Sequence, residues 1–192
     1  MYKLLKDLFP YNRSITGDGV RKTIDRISKD IPLEVTRFKS GSNVFDWTVP
    51  NEWNVTSAKI YDPNGHVIVD FEKNNLFLMS YSVPIDAVLT LKQLLGDVIT
   101  DKTRPNWIPY STSYYNDNWA FCLPYSFVKS MAKGNYKVVI NSTKKPGELI
   151  YAESFIDNGA KKEVLISSYI CHPSMANDSL SGVVLTVQLY KE

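Results

Sequence analysis

Residues 165–182 read LISSYICHPSMANDSLSG, and they decide how the rest of the chain is taken. Val164 to Ile170 is apolar and β-branched enough for a buried strand, and from Ser181 to Leu189 apolar residues recur at helical spacing. The segment between them carries Pro173, Asn177 and Asp178, so it reads as a loop joining strand to helix. In open α/β sheets catalytic groups collect just beyond the carboxyl ends of the strands, which puts His172 and Asp178 in the expected crevice. Imidazole nitrogen and carboxylate oxygen are both zinc donors, so the pair reads as the beginning of a metal site.

The same residues have plainer readings. Asp178 could be the N-cap of the last helix, accepting hydrogen bonds from the free amides of its first turn. His172 could be a satisfied structural histidine at a strand end. Cys171 and His172 could form a nucleophile and its base, but neighbours on a strand point to opposite faces, so Cys171 is read as a buried thiol. On the local sequence alone these alternatives stand side by side.

Working outward, residues 2–9 and 19–29 read as helices, the second opened by Gly17 and Asp18 and carrying Val20, Ile24 and Ile27 on one face. Leu33 to Phe38 reads as a strand leading to Ser40 and Gly41, where small residues allow a change of direction. Strands then dominate: Ala58–Tyr61 and Val67–Phe71 flank DPNG, Asp62 to Gly65, whose Asn-Gly pair signals a hairpin. Leu76 to Met79 is expected as a further strand, Thr90 as the cap of a helix through Leu95, and Ser126 as the cap of a helix ending near Gly134. Tyr136–Ile140, Glu148–Ile156 and Glu163–Ile170 are expected as successive strands joined by Pro146-Gly147 and Asn158-Gly159, short turns that imply antiparallel pairing. The expected fold class is α/β, with residues 1–40 and 110–192 forming one domain around a small β-rich inserted domain at 41–109.

The segment CHPSMANDSLSG resembles the metal-binding strand-loop-helix of zinc aminopeptidases with two co-catalytic metals. It is more closely similar to a bacterial family of aminopeptidase-like proteins often labelled as polysaccharide-biosynthesis proteins. PYNRSITGDGVRKTI at 10–24, VFDWTVPNEWNV at 44–55, NLFLMSYSVPI at 75–85 and IPYSTSYYNDNWAFCLPY at 108–125 resemble that family in the same order. The resemblance implies a partial aminopeptidase-like mixed sheet with flanking helices. It also implies a hydrolase of a peptide or amide-containing small molecule, in which His172 binds one of two zinc ions and Asp178 bridges both. Zinc in such a site acidifies a water and polarises the scissile carbonyl. In the family pattern the general-base glutamate, a second histidine and further acidic ligands lie downstream, so no catalytic residue is assigned within these 192 residues. His66, the other histidine, sits in the DPNG turn and reads as a surface residue.

Two ligands fall short of the three protein ligands that zinc sites normally take. Val183 to Tyr190 reads as a buried helix with neither a capping glycine nor a following strand, so the chain is expected to be an N-terminal fragment, weakly active or inactive alone. The missing C-terminal part would then be its partner. A non-catalytic binding or scaffold module that kept the fold is the alternative.

Composition agrees with an ordinary globular protein: 44% hydrophobic and 22% charged residues leave enough apolar material for a core. A net charge of +2, with dispersed basic residues, argues against nucleic acid or a membrane surface as partner. Two cysteines and no signal-peptide pattern point to the cytoplasm. Trp47, Trp53, Trp107, Tyr110, Tyr114, Tyr115 and Trp119 could line a groove for a sugar or extended peptide, but core packing is the stronger reading. Asp46, Glu52 and Arg13 are assigned no role.

Overall fold

The computed structural model describes all residues from Met1 to Glu192. In chain order the strands are β1 (Glu34–Lys39), β2 (Asn43–Val44), β3 (Trp47–Thr48), β4 (Glu52–Tyr61), β5 (Val67–Asp70), β6 (Ile85–Thr90), β7 (Val98–Ile99), β8 (Phe121–Cys122), β9 (Asn135–Lys145) and β10 (Glu148–Glu153). The α-helices are α1 (Tyr2–Leu8), α2 (Asp18–Ile27), α3 (Leu91–Leu94), α4 (Tyr125–Ser130) and α5 (Ser181–Lys191). The chain divides into two compact units, one built from 1–52 and 146–192, the other from 53–145.

In the first unit β1 pairs antiparallel with β10, in register from Glu34 opposite Glu153 to Lys39 opposite Glu148. Its main core joins Leu4 and Leu8 of α1, Ile27 and Ile31 at the end of α2, and Leu180, Val183, Val184 and Val187 at the start of α5. Full burial of each such side chain contributes roughly 1.5–3 kcal/mol relative to exposure. Val20, Ile24 and Ile27 recur at the spacing that places them on one face of α2, and the first two pack against Ile150 of β10. The N-terminal turn of α2 lies hard against the segment before it. A Cβ at Gly19 would fall on the carbonyl oxygen of Asn12 and 2.9 Å from the Cα of Arg13.

The second unit is organised on a four-stranded sheet of order β5-β4-β9-β6. β6 and β9 run antiparallel from Ile85 opposite Ile140 to Thr90 opposite Asn135, and Tyr136, Val138 and Ile140 alternate into the interior. The DPNG hairpin joins β4 to β5. Gly65 takes the positive φ of 85° that the turn requires, while the Asp62 carboxylate accepts the N–H groups of Asn64 and His66. Thr90 and Gln93 form a reciprocal capping box at α3, as expected from Thr90.

Several expectations are corrected. Leu76–Met79 is not a strand, because the Asn74 side chain accepts the Leu76 N–H and starts a 3-10 turn over Asn75–Phe77. Ser126 lies inside α4 rather than at its cap, donating to the carbonyl of Pro105, and Pro124 with its fixed φ precedes the helix. Pro146-Gly147 closes no hairpin: β9 pairs within the four-stranded sheet and β10 with β1. The compact units join in sequence at 52/53 and 145/146. Glu163–Ile170 forms no strand, since no strand lies beside it to complete a ladder. Most of its apolar residues stand in solvent, Val164 88% and Leu165 91% exposed, while Ile170 packs against the core of the first unit. No helix is long and apolar enough to cross a membrane.

Gly19→Ala should lower the unfolding free energy by about 2 kcal/mol or more, since backbone must move to admit the methyl group. Gly96→Ala, where nothing lies within 4 Å, should change it by less than about 0.5 kcal/mol, and chemical denaturation distinguishes the two.

Candidate functional site

His172 and Asp178 lie on an irregular segment that leads into α5. Pro173 is buried and Ser174 takes a positive φ of 36°, so the chain turns sharply just after the histidine. The Ser174 hydroxyl donates to the carbonyl of Phe9 at 2.8 Å, and the Ser179 hydroxyl donates to the carbonyl of Tyr169 at 2.5 Å. The first ties the segment to the end of α1, and the second folds it back on itself. His172 Nδ1 and Asp178 Oδ1 come to 4.0 Å, with the imidazole 21% and the carboxylate 63% exposed. That separation is too long for a hydrogen bond.

Asp178 does not cap α5. The helix begins at Ser181 without any side-chain cap, and Asp178 itself has the non-helical angles φ −118° and ψ 91°. Its carboxylate is turned toward His172 instead. The thiol of Cys171 lies 3.5 Å from His172 Nδ1. The opposed placement expected for neighbours on a strand is corrected here, because no strand forms through Cys171 and His172. Burial pushes the Cys171 thiol up from its ordinary value, which keeps it protonated at neutral pH and disfavours it as a nucleophile.

The donors present are of the kinds zinc takes, but they are two. Nowhere do three or more His, Cys, Asp or Glu side chains gather as a metal would require. His172 and Asp178 thus fit part of a zinc coordination sphere. His66 lies in its turn as expected, its exposed ring 3.3 Å from the Asp62 carboxylate.

Arg13 is the residue that sequence reasoning passed over. It is 1% exposed, its Nε donates to the carbonyl of His172 at 2.9 Å, and its Nη1 donates to the carbonyl of Leu8 at 2.5 Å. Burial lowers its pKa to about 10, so it remains charged at neutral pH. Nothing in the local sequence marks an arginine as buried, although its setting among Pro10, Asn12, Ser14, Gly17 and Gly19 does mark a tightly turned segment. Glu52, also left without a role, holds the guanidinium of Arg21 through both oxygens and accepts the Glu148 N–H at 3.3 Å.

The aromatic residues divide. Trp53 is 2% exposed, donates its indole N–H to the Ser82 carbonyl and stacks on Tyr81, which in turn meets Tyr114 edge-on at 5.1 Å. That is core packing. Trp107 and Tyr115 are exposed, with the Arg104 guanidinium 5.1 Å from the Trp107 ring.

Comparison with known proteins first gives a class. The chain superposes on the crystal structure of a "putative peptidase" from Clostridium acetobutylicum with a TM-score of 0.95 and 47% identity, over 99% of this chain and 45% of that one. A curated relative from Clostridium acetobutylicum, called "Putative polysaccharide biosynthesis protein with aminopeptidase-like domain", is 47% identical over 191 residues, which is 100% of this chain. The chain belongs to the family described as "Domain of unknown function (DUF4910)", which matches residues 2–192. It spans 44% of the curated relative's length.

The two thiols should be slow toward iodoacetamide at pH 7.5. Cys122 is fully buried and pushed up to about 12, so it should stay unlabelled until the protein is denatured, while half-buried Cys171 should gain reactivity as pH rises; peptide mass spectrometry reads both.

Proposed function

We propose that this chain is part of a zinc-dependent peptide or amide hydrolase of aminopeptidase type, to which His172 and Asp178 contribute two metal ligands. The observation that carries the reading is their convergence to 4.0 Å across six residues, with Asp178 taking no part in capping the helix that follows. Zinc, when bound, supplies Lewis acidity toward a carbonyl and toward water. The residues of this chain hold and orient. His172 is kept in place through its backbone, and Asp178 presents an open carboxylate.

The rest of the site is assigned to a portion of protein equivalent to the part of the relative that lies outside the match. The exposed run from Val164 to Tyr169 supports this, because Val164, Leu165, Ile166 and Tyr169 are each more than half exposed on backbone that joins no ladder. Such a run is a ready template for strand addition. We place the added portion there. The name of the curated relative directs the substrate toward the peptide or amide chemistry of polysaccharide biosynthesis.

A second reading is favoured by one observation: with no cluster of three potential ligands, the chain by itself suits a binding or scaffold module on a peptidase-like frame.

Zinc stoichiometry, measured by elemental analysis on this chain alone and on this chain co-expressed with the unmatched part of the Clostridium acetobutylicum relative, separates the two. About two zinc ions in the complex, falling in His172→Ala and Asp178→Ala, is the expected result. A complex that forms but holds no zinc would leave the binding module.

A further inference from the structure

Arg13 and Ser174 both reach carbonyls across the chain, one on each side of the same boundary. Arg13, in the turn after α1, donates forward to the carbonyl of His172; Ser174, two residues past that histidine, donates back to the carbonyl of Phe9. The second guanidinium nitrogen, Nη1, is tied to Leu8, so one planar group joins the end of α1 to the candidate ligand's own peptide. A guanidinium offers its donors in a rigid fork, and a carbonyl held by it is fixed in direction as well as distance.

Bonding the last carbonyl of α1, that of Leu8, accounts for part of the burial of Arg13, and the bond to His172 is the other part. A charge taken out of water needs compensation, yet the guanidinium meets two neutral carbonyls, and Nη2 is buried with no hydrogen-bond partner at all. An apolar side chain of the same volume would avoid the buried charge but would leave the Leu8 and His172 carbonyls without this donor. What the arginine does that such a residue could not is hold the His172 carbonyl. The surrounding backbone is shaped to keep it there, since the segment carrying Asn12 and Arg13 is pressed against α2 so closely that position 19 admits no side chain.

We propose that Arg13 is the positioning residue of this site: together with Ser174 it clamps the segment bearing His172 onto the turn after α1 and thereby sets the direction of the imidazole. The clamp rests on the reading of His172 as a ligand only for its use, and not for its existence. Groups that orient a ligand from behind are commonly worth about 10–100-fold in metal affinity. Lysine cannot replace arginine here, because a single ammonium on a flexible stem does not reproduce two donors fixed in one plane.

The test uses the chain's two histidines. In metal-free protein with 15N-labelled histidine, His66 serves as an internal reference and His172→Ala assigns the other signal. Arg13→Lys should broaden or shift the His172 imidazole signals and leave those of His66 unchanged. Zinc affinity, read by competition with a chromophoric chelator on the zinc-binding form of the protein, should fall about 10–100-fold. Because His66 lies in the other compact unit, a general loss of stability is read separately, by chemical denaturation of the same variant. Unchanged His172 signals and unchanged zinc affinity in folded Arg13→Lys would overturn the clamp. If Arg13→Lys fails to fold, Ser174→Ala removes the second tie alone: a selective change at His172 supports the clamp, and none overturns it. Zinc binding that survives His172→Ala would defeat the ligand reading separately, and the imidazole signals would still decide the clamp.

Discussion

The pairing of β1 with β10 is the contact on which the first unit depends. It joins residues 34–39 to residues 148–153 across a long intervening stretch, and without it the two chain segments of that unit would have no shared sheet. The ladder is short and its edge is wet. The Arg37–Glu148 ion pair beside it is largely exposed and contributes at most about 1 kcal/mol. Its strength comes from the face beneath, where Ile150 meets Val20 and Ile24 of α2. Closing so long a loop costs little more than closing one half its length, about 0.6 kcal/mol per doubling, so the intervening residues are tolerated once the face is apolar.

From that pairing the position of the candidate site follows. β10 ends at Glu153, and residues 155–172 continue without regular structure before the chain is caught again by Arg13 and the hydroxyls of Ser174 and Ser179. The segment holding His172 and Asp178 is thus secured by side chains reaching carbonyls, not by a ladder. A site on such a segment owes its geometry to a few directed bonds, each of which matters more than it would on a strand.

Legibility in the sequence tracked the range of the interactions concerned. Helices α1, α2 and α5, the DPNG hairpin and the Thr90 capping box were readable because spacing and turn chemistry act over a few residues. The pairing partners of β9 and β10 were not, since Pro146-Gly147 looks like a hairpin turn, yet the two strands join different sheets. His172 and Asp178 lie six positions apart, close enough to be considered together from the sequence. Arg13 was not legible, since its bond to His172 spans 159 residues and an arginine carries no sequence mark of burial. The apolar run at 164–170 was read correctly in composition and wrongly in state: a β-branched sequence forms a strand only where another strand accepts it.

Glu52 and Gly147 stand where the first unit releases the chain and takes it back. The Glu52 side chain fills the space that a Cβ at position 147 would need, and its carboxylate bonds both to Arg21 and to the Glu148 N–H. The exit and the return are therefore neighbours, stitched by one acid. Everything between them is a detour that begins and ends at the same address, and the surrounding frame needs to know only where that address is. Such a junction lets the detour lengthen, shrink or be exchanged over evolutionary time while the frame, and whatever chemistry it carries, stays as it was.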